Sequence, residues 1–281
     1  MLAFSQANIE CKMYMELPQD IKMRHGKGKT HVLKLLKNLY GQKQAGRVWN
    51  IHLHNKLMKI GFTQCKYNDC FYFRSKTLFV LYVDNGIFAL PNDKDITQAI
   101  NDLKKANCDI EDQDELSNYL GVHITRKDDM TYLTQPHLID QIIKDTGISQ
   151  HSSNKLTPAP STVILNADSN GKEFDHKFDY WSVVGKLNFL EKSTWPDIAY
   201  AVHQCARYTS NPRKSHGDAI IHFAKYLRHT REKGLIISPR YKYGLEVFAD
   251  ADFSGSWIRR EAEHDSDTAK SRTGYVIRFA N

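Results

Sequence analysis

No apolar run in this chain approaches the ~20 consecutive residues that a membrane-crossing helix needs, so a helical span is excluded. Cysteine is sparse and scattered: Cys11, Cys65, Cys70, Cys108 and Cys205 form an odd set without a Cys-x-x-Cys pair. That pattern points away from a disulfide framework or structural zinc and toward reduced thiols inside a cell. The chain has 13 histidines but no His-x-x-x-His with an acidic partner. His52 and His54 fall on opposite faces of a predicted helix, so no zinc centre is expected. The opening residues Met1-Leu2-Ala3-Phe4-Ser5-Gln6 lack a basic segment and an apolar core, so no secretory signal is expected there. No internal repeat is present.

Acidic residues are nearly absent from the first 60 positions. Eleven Lys/Arg residues stand there against Glu10, Glu16 and Asp20, so the segment carries +8 and the other 221 residues carry −1 of the total +7. A local basic block of this kind suits a phosphate-rich partner, or else a solvated basic face. The composition, 41% hydrophobic and 25% charged, suits a soluble globular chain of one or two domains.

Trp49, Leu53, Leu57 and Ile60 recur at helical spacing before Gly61, predicting a helix over 39–60. Two short apolar runs, Leu78 to Leu81 and Ile87 to Leu90, flank the polar tip Tyr82-Val83-Asp84-Asn85 and predict a β-hairpin at 77–90 with a carboxylate at its turn. A helix capped by Asn92 or Asp93 follows, with Ile96, Ile100 and Leu103 on one face. Tyr119 to Thr125 and Met130 to Gln135 read as a strand pair around Lys127-Asp128-Asp129, and Pro136 opens a helix that Gly147 ends. Residues 149–177 are rich in Ser, Thr, Asn, Pro and Asp and read as a linker. Helices are predicted at 178–192, 196–209 and 216–231, the last capped by Ser215, and strands at 245–252 and 273–279.

In order, several blocks of this chain resemble the reverse transcriptase region of Ty1/copia-type retrotransposon polyproteins. They include Ile9-Glu10-Cys11-Lys12-Met13-Tyr14-Met15-Glu16-Leu17-Pro18, Leu39-Tyr40-Gly41-Gln42-Lys43-Gln44-Ala45-Gly46-Arg47-Val48-Trp49 and Tyr82-Val83-Asp84-Asn85. Further on stand Tyr119-Leu120-Gly121-Val122, Leu133-Thr134-Gln135-Pro136, Val184-Gly185-Lys186-Leu187-Asn188-Phe189-Leu190, Pro196-Asp197-Ile198-Ala199 and Asp250-Ala251-Asp252-Phe253-Ser254-Gly255. The family's order is kept over almost the whole chain.

The resemblance implies an α+β fold: fingers and palm with an antiparallel sheet over 1–148, a linker at 149–177, a helical thumb or connection region at 178–240, and a truncated RNase H-like start at 241–281. It implies an RNA-directed DNA polymerase acting on an RNA template, a DNA primer and deoxynucleotides, through two Mg²⁺ ions that stabilise the attacking and leaving oxygens. Hard anionic oxygen ligands hold such ions. The family supplies three aspartates, two of them from a Tyr-x-Asp-Asp turn; Asp84 matches the first of that pair and the metal-ligand role. Asn85 stands where the second carboxylate is expected, and the family's early palm aspartate falls before Met1. Together these departures imply a catalytically impaired chain that binds Mg²⁺ poorly.

By the same resemblance Tyr40, Lys43, Gln44, Arg47 and Tyr82 are candidate nucleic-acid or nucleotide contacts, Trp49 being read as core, and Tyr119-Leu120-Gly121 matches a primer-gripping hairpin. Asp250 matches the first metal-binding aspartate of an RNase H domain. Trp181 and Trp195 stand where the family usually has Arg, a pattern that mutational decay of an unselected element would leave, the alternative being neutral divergence with the rings packed on the surface. A non-catalytic nucleic-acid-binding remnant that uses the basic 1–60 segment is the alternative, and an inert relic with open sheet edges a third. An intracellular, cytoplasmic setting (a virus-like particle for the intact family, with the nucleus an option) goes with either, and no membrane partner.

Overall fold

The computed structural model describes residues 3–18, 31–89, 93–113, 115–160, 165–238, 244–257, 259 and 269–279. The chain divides into two units, Met1–Asp114 and Glu115–Asn281. Mixed helices and antiparallel sheets make up both, as an α+β reading requires.

In the first unit, β1 (Tyr14–Glu16) pairs with β2 (Val32–Lys34) in a two-stranded ribbon. Next come α1 (Ala45–Lys59) and a four-stranded antiparallel sheet in chain order: β3 (Thr63–Gln64), β4 (Phe71–Arg74), β5 (Thr77–Tyr82) and β6 (Asn85–Ala89). The unit ends with α2 (Asp93–Lys105). The helix predicted over 39–60 is shorter than its apolar spacing suggested. Gly41 at φ +90° and the Leu39 N–H donated to Gln42 Oε1 hold residues 39–44 in turns.

The predicted face of α1 is real: Val48, Trp49, Leu53 and Leu57 are buried in one cluster with Phe62, Tyr72, Phe79 and Leu81. In β5 burial alternates, Thr77, Phe79 and Leu81 facing inward, as a half-buried strand dictates. Arg74 locks the far end. Its Nη1 donates to the Ile60 carbonyl (2.9 Å) and to Asp102 Oδ2 (2.8 Å), and its guanidinium lies 4.8 Å from the centre of the Phe62 ring. The hydrogen bond from Arg74 holds the Asp102 carboxyl below its ordinary range. Asn92, one of the two expected caps of α2, lies outside the described residues, and so does Leu90.

The second unit opens with β7 (Asn118–Tyr119), β8 (Val122–Lys127) and β9 (Met130–Thr134), joined later by β10 (Leu235–Ile237) in the order β10-β9-β8-β7. The single strand expected over 119–125 is therefore a hairpin of its own. Leu120 and Gly121 both take positive φ (50° and 80°), which makes a two-residue turn between β7 and β8.

Helix α3 (Pro136–Thr146) starts on Pro136 and ends at Gly147, whose left-handed φ of 65° is what a helix C-cap of this kind requires. Then come α4 (Tyr180–Ser193), a 3-10 turn at Pro196–Ile198, α5 (Ala199–Ala206) and α6 (Lys214–His229). Ile139, Ile142, Val183, Leu187, Leu190, Ile198, Val202, Ile220, Phe223 and Leu227 form their core. Trp195 is 3% exposed and meets Tyr226 edge to face, so it is a core ring and not the surface ring expected; Trp181, 74% exposed, does lie on the surface.

Ser215 does not cap α6. The helix begins one residue earlier, and His216 Nδ1 accepts the Arg213 N–H (2.8 Å). Ser215 instead donates to Asp168 Oδ2 (2.6 Å). That contact belongs to a series by which α6 holds the described part of 149–173 along its length. Arg228 reaches Ser149, Ser152 and Asn154; His222 bonds the Thr157 carbonyl (3.0 Å) and His216 the Asn166 carbonyl (2.7 Å); Lys214 N–H meets Lys172 O (2.9 Å). Leu165 and Phe174 are buried in the helical core.

Beyond β10 the chain forms β11 (Leu245–Asp252) and β12 (Arg272–Phe279), paired with each other through all eight positions. Among the described residues no further strand joins this ribbon.

His216 makes the second unit sensitive to acid. Its ring is fully buried, lies flat on Tyr208 (4.2 Å between centres), and uses Nδ1 as an acceptor, so Nε2 carries the proton given to Asn166. Burial pushes its pKa down, opposed by the Asn166 carbonyl and Asp168 and assisted by Arg213 and Arg207. The unfolded chain takes up a proton near pH 6.5 that the folded chain refuses, so this contribution is whole above that pH and is lost below it. The melting temperature therefore falls as pH drops from 7.5 to 5.5. In His216→Gln, which keeps an acceptor at the third helical position but cannot titrate, melting is lower at pH 7.5 and the decline with acid is shallower. His222 and His52, lowered by burial too, keep that decline from vanishing.

Candidate active site at the hairpin tip

The β5–β6 hairpin closes on two residues, Val83 and Asp84, with Tyr82 paired to Asn85 across the turn. Val83 has φ +54°, a left-handed conformation that strains a β-branched residue by roughly 1–3 kcal/mol. A hydrogen bond holds it there: Trp49 Nε1 donates to the Val83 carbonyl at 2.7 Å. The indole is 4% exposed and lies in the core, so α1 fixes the tip from beneath.

Tyr40 forms the side of the site. Its ring packs on Phe4 (4.3 Å between centres), its Oη accepts the Ala3 N–H (3.2 Å), and the same hydroxyl donates to Asp84 Oδ2 at 3.4 Å. Asn85 Nδ2 stands 3.5 Å from Asp84 Oδ1, so the amide turns its protons toward the carboxylate. Asp84, Asn85, Tyr82 and Tyr40 are exposed. Four of the candidates read from sequence thus meet at one tip.

Lys43 and Arg47 do not reach it through any bond. Both are exposed at the start of α1, Lys43 two residues before the helix, and neither forms an ion pair among the described residues. Gln44 faces the other way, its Nε2 lying 3.2 Å from Met13 Sδ and 4.0 Å from Cys11 Sγ. Asp250 belongs to the second unit; it is exposed on β11 opposite Gly274. Of the basic positions in 1–60, Lys22, Arg24, Lys27 and Lys29 lie outside the described residues. The described residues contain no group of three or more His, Cys, Asp or Glu side chains able to hold a metal ion. They also contain no helix long and apolar enough to cross a membrane.

Two contributors to the tip carry no signal as chemistry. Trp49 reads from its spacing as core, and nothing in that spacing reveals the indole N–H aimed at Val83. Gly86 looks like an ordinary turn glycine, yet its role is clearance: a Cβ there would come within 2.5 Å of Phe79 Cε2. The bare backbone lets the Phe79 ring, paired with Phe88 at 4.6 Å, lie across the neighbouring strand.

Residues 1–160 match the family profile described as reverse transcriptase (RNA-dependent DNA polymerase). The chain is 27% identical to the retrovirus-related Pol polyprotein from transposon RE1 of Arabidopsis thaliana, over 98% of this chain and 18% of that polyprotein. It is 29% identical to the corresponding polyprotein from transposon TNT 1-94 of Nicotiana tabacum, over 99% of this chain and 21% of that one. A protein named for transposon Ty5-1 of Saccharomyces cerevisiae is 28% identical, over 99% of this chain and 87% of that protein. The chain thus spans about a fifth of the length of the two plant polyproteins. No solved structure matches.

Gly86→Ala lowers stability to urea by about 1–3 kcal/mol, the usual result of forcing a methyl group into a filled space. Phe79→Leu added to it recovers part of that loss, because the clash needs both partners. Equal losses with and without Phe79 would refute the packing role given to Gly86.

Proposed function

The chain belongs to the reverse transcriptase (RNA-dependent DNA polymerase) family, in its Ty1/copia retrotransposon branch, and on that premise we propose that it is a polymerase scaffold whose metal centre is impaired. The reading rests on one observation: Asn85, a neutral amide, directly follows Asp84 at the tip of the hairpin.

Nucleotide addition is an in-line displacement in which divalent ions stabilise the entering and departing oxygens. Their charge must be met by carboxylates close by. The tip offers one carboxylate and one carboxamide, and the amide presents N–H protons toward Asp84. Two unit charges ~4 Å apart interact by about 4 kcal/mol at an effective dielectric of ~20, so one missing carboxylate weakens the hold on a divalent ion by several kcal/mol before water compensates. That donor set does not fit two Mg²⁺ ions, and no step of the reaction is derived through them. Tyr40 and Trp49 keep the geometry of the tip without supplying charge.

What remains is binding. Template, primer and deoxynucleotides are the partners that membership implies, met by Lys43 and Arg47 at the head of α1, by the exposed Tyr82 ring, and by the β7–β8 hairpin. The exposed cations without ion-pair partners among the described residues favour the second reading, a nucleic-acid-binding module without catalysis. In the second unit the α3–α6 helices take the part of a thumb or connection, and the β11–β12 ribbon with Asp250 that of an RNase H opening. We extend the reading to an intracellular, particle-associated setting, which the similarity to Pol polyproteins supports.

Primer extension on an RNA template, in Mg²⁺ and in Mn²⁺, gives no product with this chain; extension above background would overturn the reading. Asn85→Asp tightens Mn²⁺ binding at the tip by about tenfold or more, seen as paramagnetic broadening of the Tyr82 and Val83 amides at lower Mn²⁺. Equal Mn²⁺ affinity in both chains would remove Asn85 as the cause. Lys43→Gln with Arg47→Gln weakens oligonucleotide binding and flattens its salt dependence by about two charges.

A further inference from the structure

On the first unit, away from the hairpin tip, lies a groove of about 1030 Å³. Its walls come from the turn at Phe4–Gln6, the isolated bridge that Lys37 makes with Asn8, the C-terminal half of α1 and the end of α2. Lys37, Lys56, Lys59 and Lys105 line it, with His52 between them. Asp102 is the acidic residue of the lining, and its carboxylate already accepts from Arg74 Nη1 (2.8 Å) and Gln98 Nε2 (2.7 Å). The groove therefore carries positive charge that its own wall does not neutralise.

Two of the ammonium groups are held in place by backbone and not by acids. Lys56 Nζ donates to the Asn107 carbonyl (2.5 Å), and Lys37 Nζ donates to the Gln6 carbonyl (3.1 Å). An ammonium has three protons, so each keeps two for a ligand. Lys59 and Lys105 are exposed and form no ion pair among the described residues. His52 Nε2 is buried without a hydrogen-bond partner among the described residues. Burial first, then Lys56 and Lys37, lowers the His52 pKa, which registers the positive potential around it.

We propose that this groove binds a small, multiply charged phosphate compound, its phosphate oxygens meeting Lys37, Lys56, Lys59 and Lys105. The form of the site separates this ligand from a nucleic-acid strand. Apart from His52, whose ring is stacked on Trp49, the lining supplies no aromatic face on which bases could stack. Phosphate is the chemistry the groove can read; a base is not.

The test is calorimetric titration of the full chain with sodium tripolyphosphate at low salt, beside Lys59→Gln/Lys105→Gln and a control, Lys144→Gln/Lys192→Gln, whose lysines lie outside the groove. The groove pair is chosen because those side chains hold no backbone carbonyl, and circular dichroism checks that both variants fold. Tripolyphosphate binds the native chain and the control alike and binds the groove variant about tenfold or more weakly, with affinity falling as salt rises. On saturation the His52 imidazole titrates at higher pH by NMR, because an anion replaces the like charges facing it. Equal weakening in the control would mean that net charge alone is at work, and the site falls. The proposal also falls if tripolyphosphate does not bind at millimolar concentration or leaves His52 unmoved. Loss of a single-stranded oligonucleotide from the groove variant, with tripolyphosphate indifferent, would assign the groove to a nucleic-acid backbone instead.

Discussion

A single hydrogen bond, Trp49 Nε1 to the Val83 carbonyl, ties the tip of the first unit's hairpin to its core. Val83 adopts a backbone conformation that its branched side chain resists, and a lone strained turn at the end of a hairpin relaxes unless something opposes it. The opposing group sits on α1, in the middle of the buried face, so the force on the tip comes from the core itself. Packing and function are therefore one problem here. Anything that shifts α1 relative to the sheet moves Asp84.

The second unit is organised the opposite way, with a helix supporting irregular chain. Segment 149–173 contains no helix or strand in its described part, so its backbone polar groups need partners from elsewhere. α6 supplies them from Arg213 to Arg228, running against the direction of the segment, so carbonyl after carbonyl finds a side-chain or main-chain donor. Two of those donors are histidines whose pKa burial lowers, so protonation opposes this arrangement.

Much of this was legible in the sequence. The α1 face, the hairpin, the Pro136-to-Gly147 helix and the α4–α6 set follow from periodicities and caps that act locally, and the blocks that resemble retrotransposon polymerases sit on them. The misreadings share a physical cause. The helix expected from residue 39 starts at Ala45, because Gly41 at φ +90° favours a turn that the periodicity from Trp49 onward cannot register. Ser215 looked like a cap because serine is a good one, but its hydroxyl is taken by Asp168, 47 residues away. Trp195 was indistinguishable from a surface ring until Tyr226 came against it. At the site, Asp84 and Asn85 could be read directly, whereas the Trp49 and Tyr40 contacts arise only when the fold brings distant positions together.

The tip also shows that its shape and its charge rest on different atoms. A carboxylate at position 85 would sit beside Asp84, and like charges ~4 Å apart repel by about 1 kcal/mol in water and by more when desolvated. A polymerase tolerates that repulsion because bound cations cancel it. With an amide the repulsion vanishes, and the amide protons instead lie toward the Asp84 oxygen. An amide at position 85 thus relieves the hairpin of that repulsion. None of the residues that hold the tip in shape, Trp49 beneath, Tyr40 beside and Gly86 behind, needs the second charge. The shape of the tip and its charge are separable because they rest on different atoms, so a change in the charge at position 85 leaves the contacts from Trp49 and Tyr40 in place.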